Sequence, residues 1–91
     1  MPYIKKEDRK VFDDLVKKLK IDENTPSGEL NYLITKILLK ATGKKRTYKR
    51  LNELKGVLGC CGSEFYRRVI APYEDEKIFR NGDLPEFNQF E

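Results

Sequence analysis

A length of ninety-one residues bounds the chain to one domain, with a thin core. Charged residues make up 37% and hydrophobic residues 38%, too apolar for a disordered chain and too charged for a membrane protein. The net charge of +4 is unevenly spread: residues 35–70 hold ten Lys/Arg and two Glu, and residues 71–91 hold two Lys/Arg against six Asp/Glu.

The first predicted helix runs from about Lys6 to Lys20. Val11, Phe12, Leu15, Val16 and Leu19 form one stripe at helical spacing. Asp13–Lys17 and Asp14–Lys18 are acid-before-base pairs one turn apart. The segment from Asp22 to Gly28 reads as a loop, with Thr25 as N-cap and Pro26 at the first helical position. The second helix reaches about Ala41, carries Leu30, Leu33, Ile34, Ile37, Leu38 and Ala41 on one face, and stops at Gly43. Tyr32 and Leu39 give it a second apolar face, so the helix is expected to be central in the fold or buried in an oligomer, with these two as the candidate interface residues.

Lys44 to Arg50 is the densest basic stretch, with Thr47 as the N-cap of a third helix from Tyr48 to about Ala71. Leu51, Leu54, Leu58, Cys61, Phe65 and Val69 form its stripe. Gly56, Gly59 and Gly62 weaken it, and a break there with Ser63 as a new N-cap is the alternative. The stripe keeps phase across the glycines, which favours one continuous helix. Pro72 is expected to end or kink it. A short fourth helix over residues 73–79, a stop at Asn81-Gly82 and an irregular tail complete the reading, with Phe87 and Phe90 free to dock on the domain or on a partner. The fold class is all-α: a small bundle of three main helices plus a short C-terminal helix. Its expected core joins Phe12, Leu15, Leu19, Leu33, Ile37, Leu54, Leu58 and Phe65.

The cysteines, Cys60 and Cys61, are adjacent, and on one helix they cannot pair with each other. The sequence has no histidine, no zinc-ligand spacing and no hydrolytic acid pair, so no metal, cofactor or catalytic residue is expected. The first ten residues have no apolar h-region, and no run approaches the ~20 apolar residues that span a bilayer. A cytoplasmic protein is therefore expected, with no membrane partner.

The outward face of the third helix is basic at both ends, at Lys49 and Arg67, and small between, at Gly56, Cys60 and Ser63. Three readings follow. One is a solvated face with Lys49–Glu53 and Glu64–Arg68 ion pairs. Another is an interface with a second copy, using Gly56, Cys60 and Ser63, or Tyr32 and Leu39 on the second helix. The third is an anion site made by Lys45, Arg46, Tyr48, Lys49, Arg50, Arg67 and Arg68, taking nucleic acid or a nucleotide, with Tyr48 stacking on a base. No named nucleic-acid-binding motif is present. The function expected from the residues is non-enzymatic binding of an anionic partner. The rival is a homo-oligomeric protein-interaction module.

Several phrases stand out together: MPYIKKEDR, Gly28-Glu-Leu-Asn-Tyr32, Leu51-Asn-Glu-Leu-Lys-Gly-Val-Leu58, Glu64-Phe-Tyr-Arg-Arg-Val69, Ala71-Pro-Tyr-Glu-Asp-Glu-Lys-Ile78 and Asn81-Gly-Asp83. Across most of its length the chain resembles a family of small proteins from bacteria, archaea and phages, a domain of unknown function with no established activity. The resemblance implies no catalytic residues. It implies phage or mobile-element biology, and with it a protein that interferes with host machinery by contacting a host protein.

Overall fold

A computed structural model describes the backbone of residues 3–90 and the side chains of residues 3–88. The fold is all-α, with no strand among the described residues. The chain divides into two units, Met1–Thr47 and Tyr48–Glu91.

In the first unit, a single 3-10 turn over Lys6–Asp8 precedes α1, Lys10–Lys18. Arg9 is tied by its Nε donating to the carbonyl of Ile4 at 3.1 Å. The helix is shorter than the apolar spacing suggests. No side chain caps its start, and it ends where Leu19 turns extended at ψ 133. A nine-residue helix is marginal without packing, because nucleation outweighs so few hydrogen bonds. Asp14 pairs with Lys10 at 2.9 Å instead of with Lys18.

The loop before α2, Ser27–Thr42, is held differently from expectation. The Thr25 hydroxyl accepts from the Asp22 N–H at 2.9 Å, and Asp22 accepts from the Asn24 N–H at 2.8 Å. Thr25 therefore closes the loop, while Pro26 takes the cap position without a side-chain cap bond. Pro26 suits that place because it contributes no N–H and its carbonyl receives the N–H groups of Glu29 and Leu30. Gly43 ends the helix at φ 77, ψ −173, a conformation open essentially to glycine alone.

In the second unit, α3 spans Tyr48–Phe65 and runs unbroken through Gly56, Gly59 and Gly62. One π-helical turn, Tyr66–Ile70, joins it without interruption to α4, Ala71–Asn81. Tyr48 to Asn81 is thus one long bent helix, about 51 Å of rise at 1.5 Å per residue. Pro72 does not end it. A proline inside an α-helix leaves the carbonyl four residues back without its donor, and its ring presses on that carbonyl. The wide turn relieves this just upstream: the Ala71 N–H reaches the carbonyl of Tyr66, five residues back. Gly82, at φ 81, ψ 146, stops α4 and donates to the Ile78 carbonyl at 2.8 Å. The tail is more ordered than expected, forming 3-10 turns over Pro85–Phe90.

No described residue is buried. Among the described residues, α1 does not pack along α2 within the first unit, and within the second the main packing is between successive parts of one rod. Of the eight residues expected in the core, Leu33 and Leu54 are half-buried and the other six are exposed, Phe12 at 51% and Phe65 at 59%. The apolar stripes are present at the predicted spacing, and within each unit they are half-buried at most.

The glycines make this backbone testable. A Cβ built on Gly56 meets nothing within 4 Å, and its φ is not positive. Gly56→Ala should therefore raise the stability of α3 by about 1 kcal/mol. Gly43→Ala should lower stability by about 1 kcal/mol or more, because Ala cannot adopt φ 77 without strain. Opposite shifts in urea midpoint check the pair; shifts of the same sign would contradict the assignment.

Candidate functional site

The basic stretch lies in the turn between α2 and α3 and in the first turn of α3. Lys44, Lys45 and Arg46 follow the glycine stop and are exposed. Among the described residues no ion pair engages them, nor Lys49. Tyr48 opens α3 with 85% of its surface exposed, so its ring is accessible for stacking. Arg50 lies 3.4 Å from Glu53, which takes the place of the expected Lys49–Glu53 pair.

Arg67 and Arg68 sit in the π turn and converge on Glu64, at 2.9 and 3.4 Å. The Glu64–Arg68 pair is as expected, with Arg67 added. Partial desolvation raises the Glu64 carboxyl, but the charge of Arg67 and the hydrogen bond from Arg68 outweigh it, and the pKa is lowered. One carboxylate therefore already occupies both guanidinium groups. On the far side of the same turn, the Tyr66 hydroxyl donates to Glu74, which pushes the phenol pKa up.

The geometry separates the proposed anion ligands. Lys49 and Arg67 share an azimuth, but eighteen residues of helix place them about 27 Å apart. Lys49 and Arg50 cannot join Arg67 and Arg68 around one small anion such as a nucleotide. Only an extended polyanion reaches both. Gly56, Cys60 and Ser63 lie exposed between them, and Cys60 and Cys61 are both free thiols. On α2, Tyr32 is 66% exposed with Lys36 over its ring at 6.0 Å, and Leu39 is also exposed.

Sequence reasoning missed one feature. Glu74, Lys77, Ile78, Asn81, Gly82, Asp83, Leu84 and Phe87 line an open cleft of about 380 Å³ where the tail folds back on α4. Phe87 docks on its own unit there and stays 63% exposed. The signal was the glycine stop followed by Leu84, since an apolar residue just past such a stop commonly packs on the last turn. The Phe90 side chain lies outside the described residues. Among the described residues, no cluster of His, Cys, Asp and Glu could hold a metal ion, and no helix is long and apolar enough to cross a membrane.

The Glu64 cluster predicts a pH response. A carboxyl with a lowered folded pKa contributes stability above its unfolded value, about 4.3, and loses it as pH falls through the folded value. Helicity followed by circular dichroism should fall over that acidic window, and Glu64→Gln should flatten the change. An identical acid profile in the variant would show that Glu64 contributes nothing.

No curated protein and no solved structure matches the chain. A family model matches residues 1–84, nearly the whole length, and the resemblance drawn from the sequence phrases agrees with it. The chain belongs to the family described as Domain of unknown function (DUF6899).

Proposed function

We propose that this protein is a non-enzymatic protein-interaction module that works as a homo-oligomer. The observation that supports this is the uncovered apolar stripe of the long helix. Leu51, Leu58, Phe65 and Val69 are all exposed, and none of the described residues is buried. Contiguous apolar faces of this kind mark association surfaces, because leaving them in water forgoes about 25 cal/mol per Å². Sedimentation equilibrium tests the reading: a dimer or larger at micromolar concentration supports it, and a monomer across the accessible range defeats it. The cytoplasm is the proposed compartment, where a reducing milieu suits the two free exposed thiols Cys60 and Cys61.

A second reading rests on a separate observation. Lys44, Lys45, Arg46 and Lys49 are exposed and carry no ion pair among the described residues, so their charge is available to an anionic partner such as nucleic acid. Reversing Lys45, Arg46 and Lys49 to Glu should abolish binding of a fluorescent single-stranded oligonucleotide. Stability should move by less than ~0.5 kcal/mol, as for exposed charges generally. Wild-type binding should weaken steeply with salt, because counterions are released on association. Binding that survives the triple substitution, or that ignores salt, would remove the loop from consideration.

A further inference from the structure

We infer that the long helix pairs with the same helix of a second copy, antiparallel, about a two-fold axis near residues 63 and 64. This rests on the homo-oligomer reading and specifies its interface. Leu51, Leu54, Leu58, Phe65 and Val69 fall within an arc ~60° wide on α3 and the π turn. The extra residue of the π turn makes α4 read one position behind, which brings Tyr73 onto the same arc. Among the described residues of this unit the arc is largely open: Leu54 is half-buried, and Leu58, Phe65, Val69 and Tyr73 are exposed at 40%, 59%, 52% and 60%.

Charge decides the occupant and its direction. The helix carries Lys49, Arg50, Lys55, Arg67 and Arg68 against two Glu as far as Ile70, and α4 opens with Glu74, Asp75 and Glu76 ahead of Lys77 and Arg80. A parallel partner would set like charge beside like charge. An antiparallel copy sets the basic end on the acidic end, and does so twice, because a two-fold contact is self-complementary. The edges of the stripe agree. Lys55 and Glu74 flank one edge, and Arg50 and Glu76 flank the other. In an antiparallel pair each edge meets its own counterpart, so Lys55 faces Glu74, and Arg50, 3.4 Å from Glu53 in its own chain, faces Glu76, 2.6 Å from Arg80 in its own chain.

One register serves the apolar residues as well. With the axis midway between residues 63 and 64, Leu54 lies opposite Tyr73, Leu58 opposite Val69, and Gly62 opposite Phe65. A small residue thus receives the largest side chain of the stripe, and a Cβ added at Gly62 meets nothing within 4 Å of its own chain. The arrangement moves the interface from the small outward face to the stripe. Cys60 then points away from the partner, and a Cys60–Cys60 disulfide is not expected.

Cross-linking tests the register in a Cys60→Ser/Cys61→Ser parent that keeps the wild-type mass in solution. Leu58→Cys together with Val69→Cys should oxidise to a covalent dimer. The two positions are ~16 Å apart along one helix, so they cannot bridge within a chain. Leu58→Cys alone should stay uncross-linked. A dimer from Leu58→Cys alone would mean a parallel pair and overturn the inference, as would no dimer from the double variant. In the wild-type cysteine background, Arg50→Glu with Lys55→Glu should weaken association at least about tenfold, since like charges would then face each other. Adding Glu74→Lys and Glu76→Lys should restore it. Unchanged association in the charge variants would overturn the antiparallel pairing, and a monomeric wild type would defeat the homo-oligomer reading itself.

Discussion

The melting temperature of the wild-type chain should rise with its own concentration, and Leu58→Ala should cost about 2–5 kcal/mol per copy of the assembly. Leu58 is 40% exposed in the single chain, so a protein that stayed monomeric would lose little from the truncation. In the proposed pair the same side chain lies over Val69 of the second copy, and its removal leaves a cavity at the centre of the interface. The two situations differ by more than the error of a denaturation experiment. Thermal melts over a hundredfold range of concentration, read by circular dichroism, separate them. A melting temperature independent of concentration, together with a loss below about 1 kcal/mol in Leu58→Ala, would show that the stripe stays uncovered in solution.

Local signals in the sequence were legible where one residue type answers one backbone need. Gly43 and Gly82 stop their helices because both positions require positive φ. Tyr48 starts α3 as placed, and the unbroken phase of Leu51, Leu54, Leu58 and Phe65 correctly outweighed three glycines. Pro72 signals an end or a kink because its penalty is local and visible, and the helix bends there without ending; the π turn that allows this leaves no single-residue mark. The short α1 was overextended, since apolar spacing says which face is apolar and not how far hydrogen bonding persists. The same limit explains the core. Periodicity identifies a stripe, and it does not say whether another part of the chain or another molecule covers it. For the candidate site, the charges were legible but their separation was not. Lys49 and Arg67 share an azimuth in either case, and only helix continuity fixes the ~27 Å between them. That Glu64 engages both Arg67 and Arg68 follows from side-chain geometry in the turn.

Pro72→Ala should strengthen the isolated helix and weaken the assembly at the same time. A proline in a helix interior is worse than alanine by up to about 3 kcal/mol, so the substitution removes the main local reason for the wide turn. An N–H at position 72 can bond to the carbonyl of Arg68, and Tyr66–Ile70 can then close as ordinary α-helix. Helicity at concentrations where the chain is dissociated should rise. The cost appears in phase. Taking up the extra residue rotates α4 by about 100° relative to α3, one residue's worth of helix. Tyr73 then leaves the line of Leu54, Leu58, Phe65 and Val69, and Glu74 leaves the edge it shares with Lys55. Tyr66 and Glu74, hydrogen-bonded across the turn, separate as well, so the raised phenol pKa should fall back toward its ordinary value in an absorbance titration. Sedimentation equilibrium on the variant should show weaker association despite the more stable helix. Association that is unchanged or tighter would mean that the rotation set by the π turn plays no part in the interface, and the Leu54–Tyr73 contact would have to be abandoned.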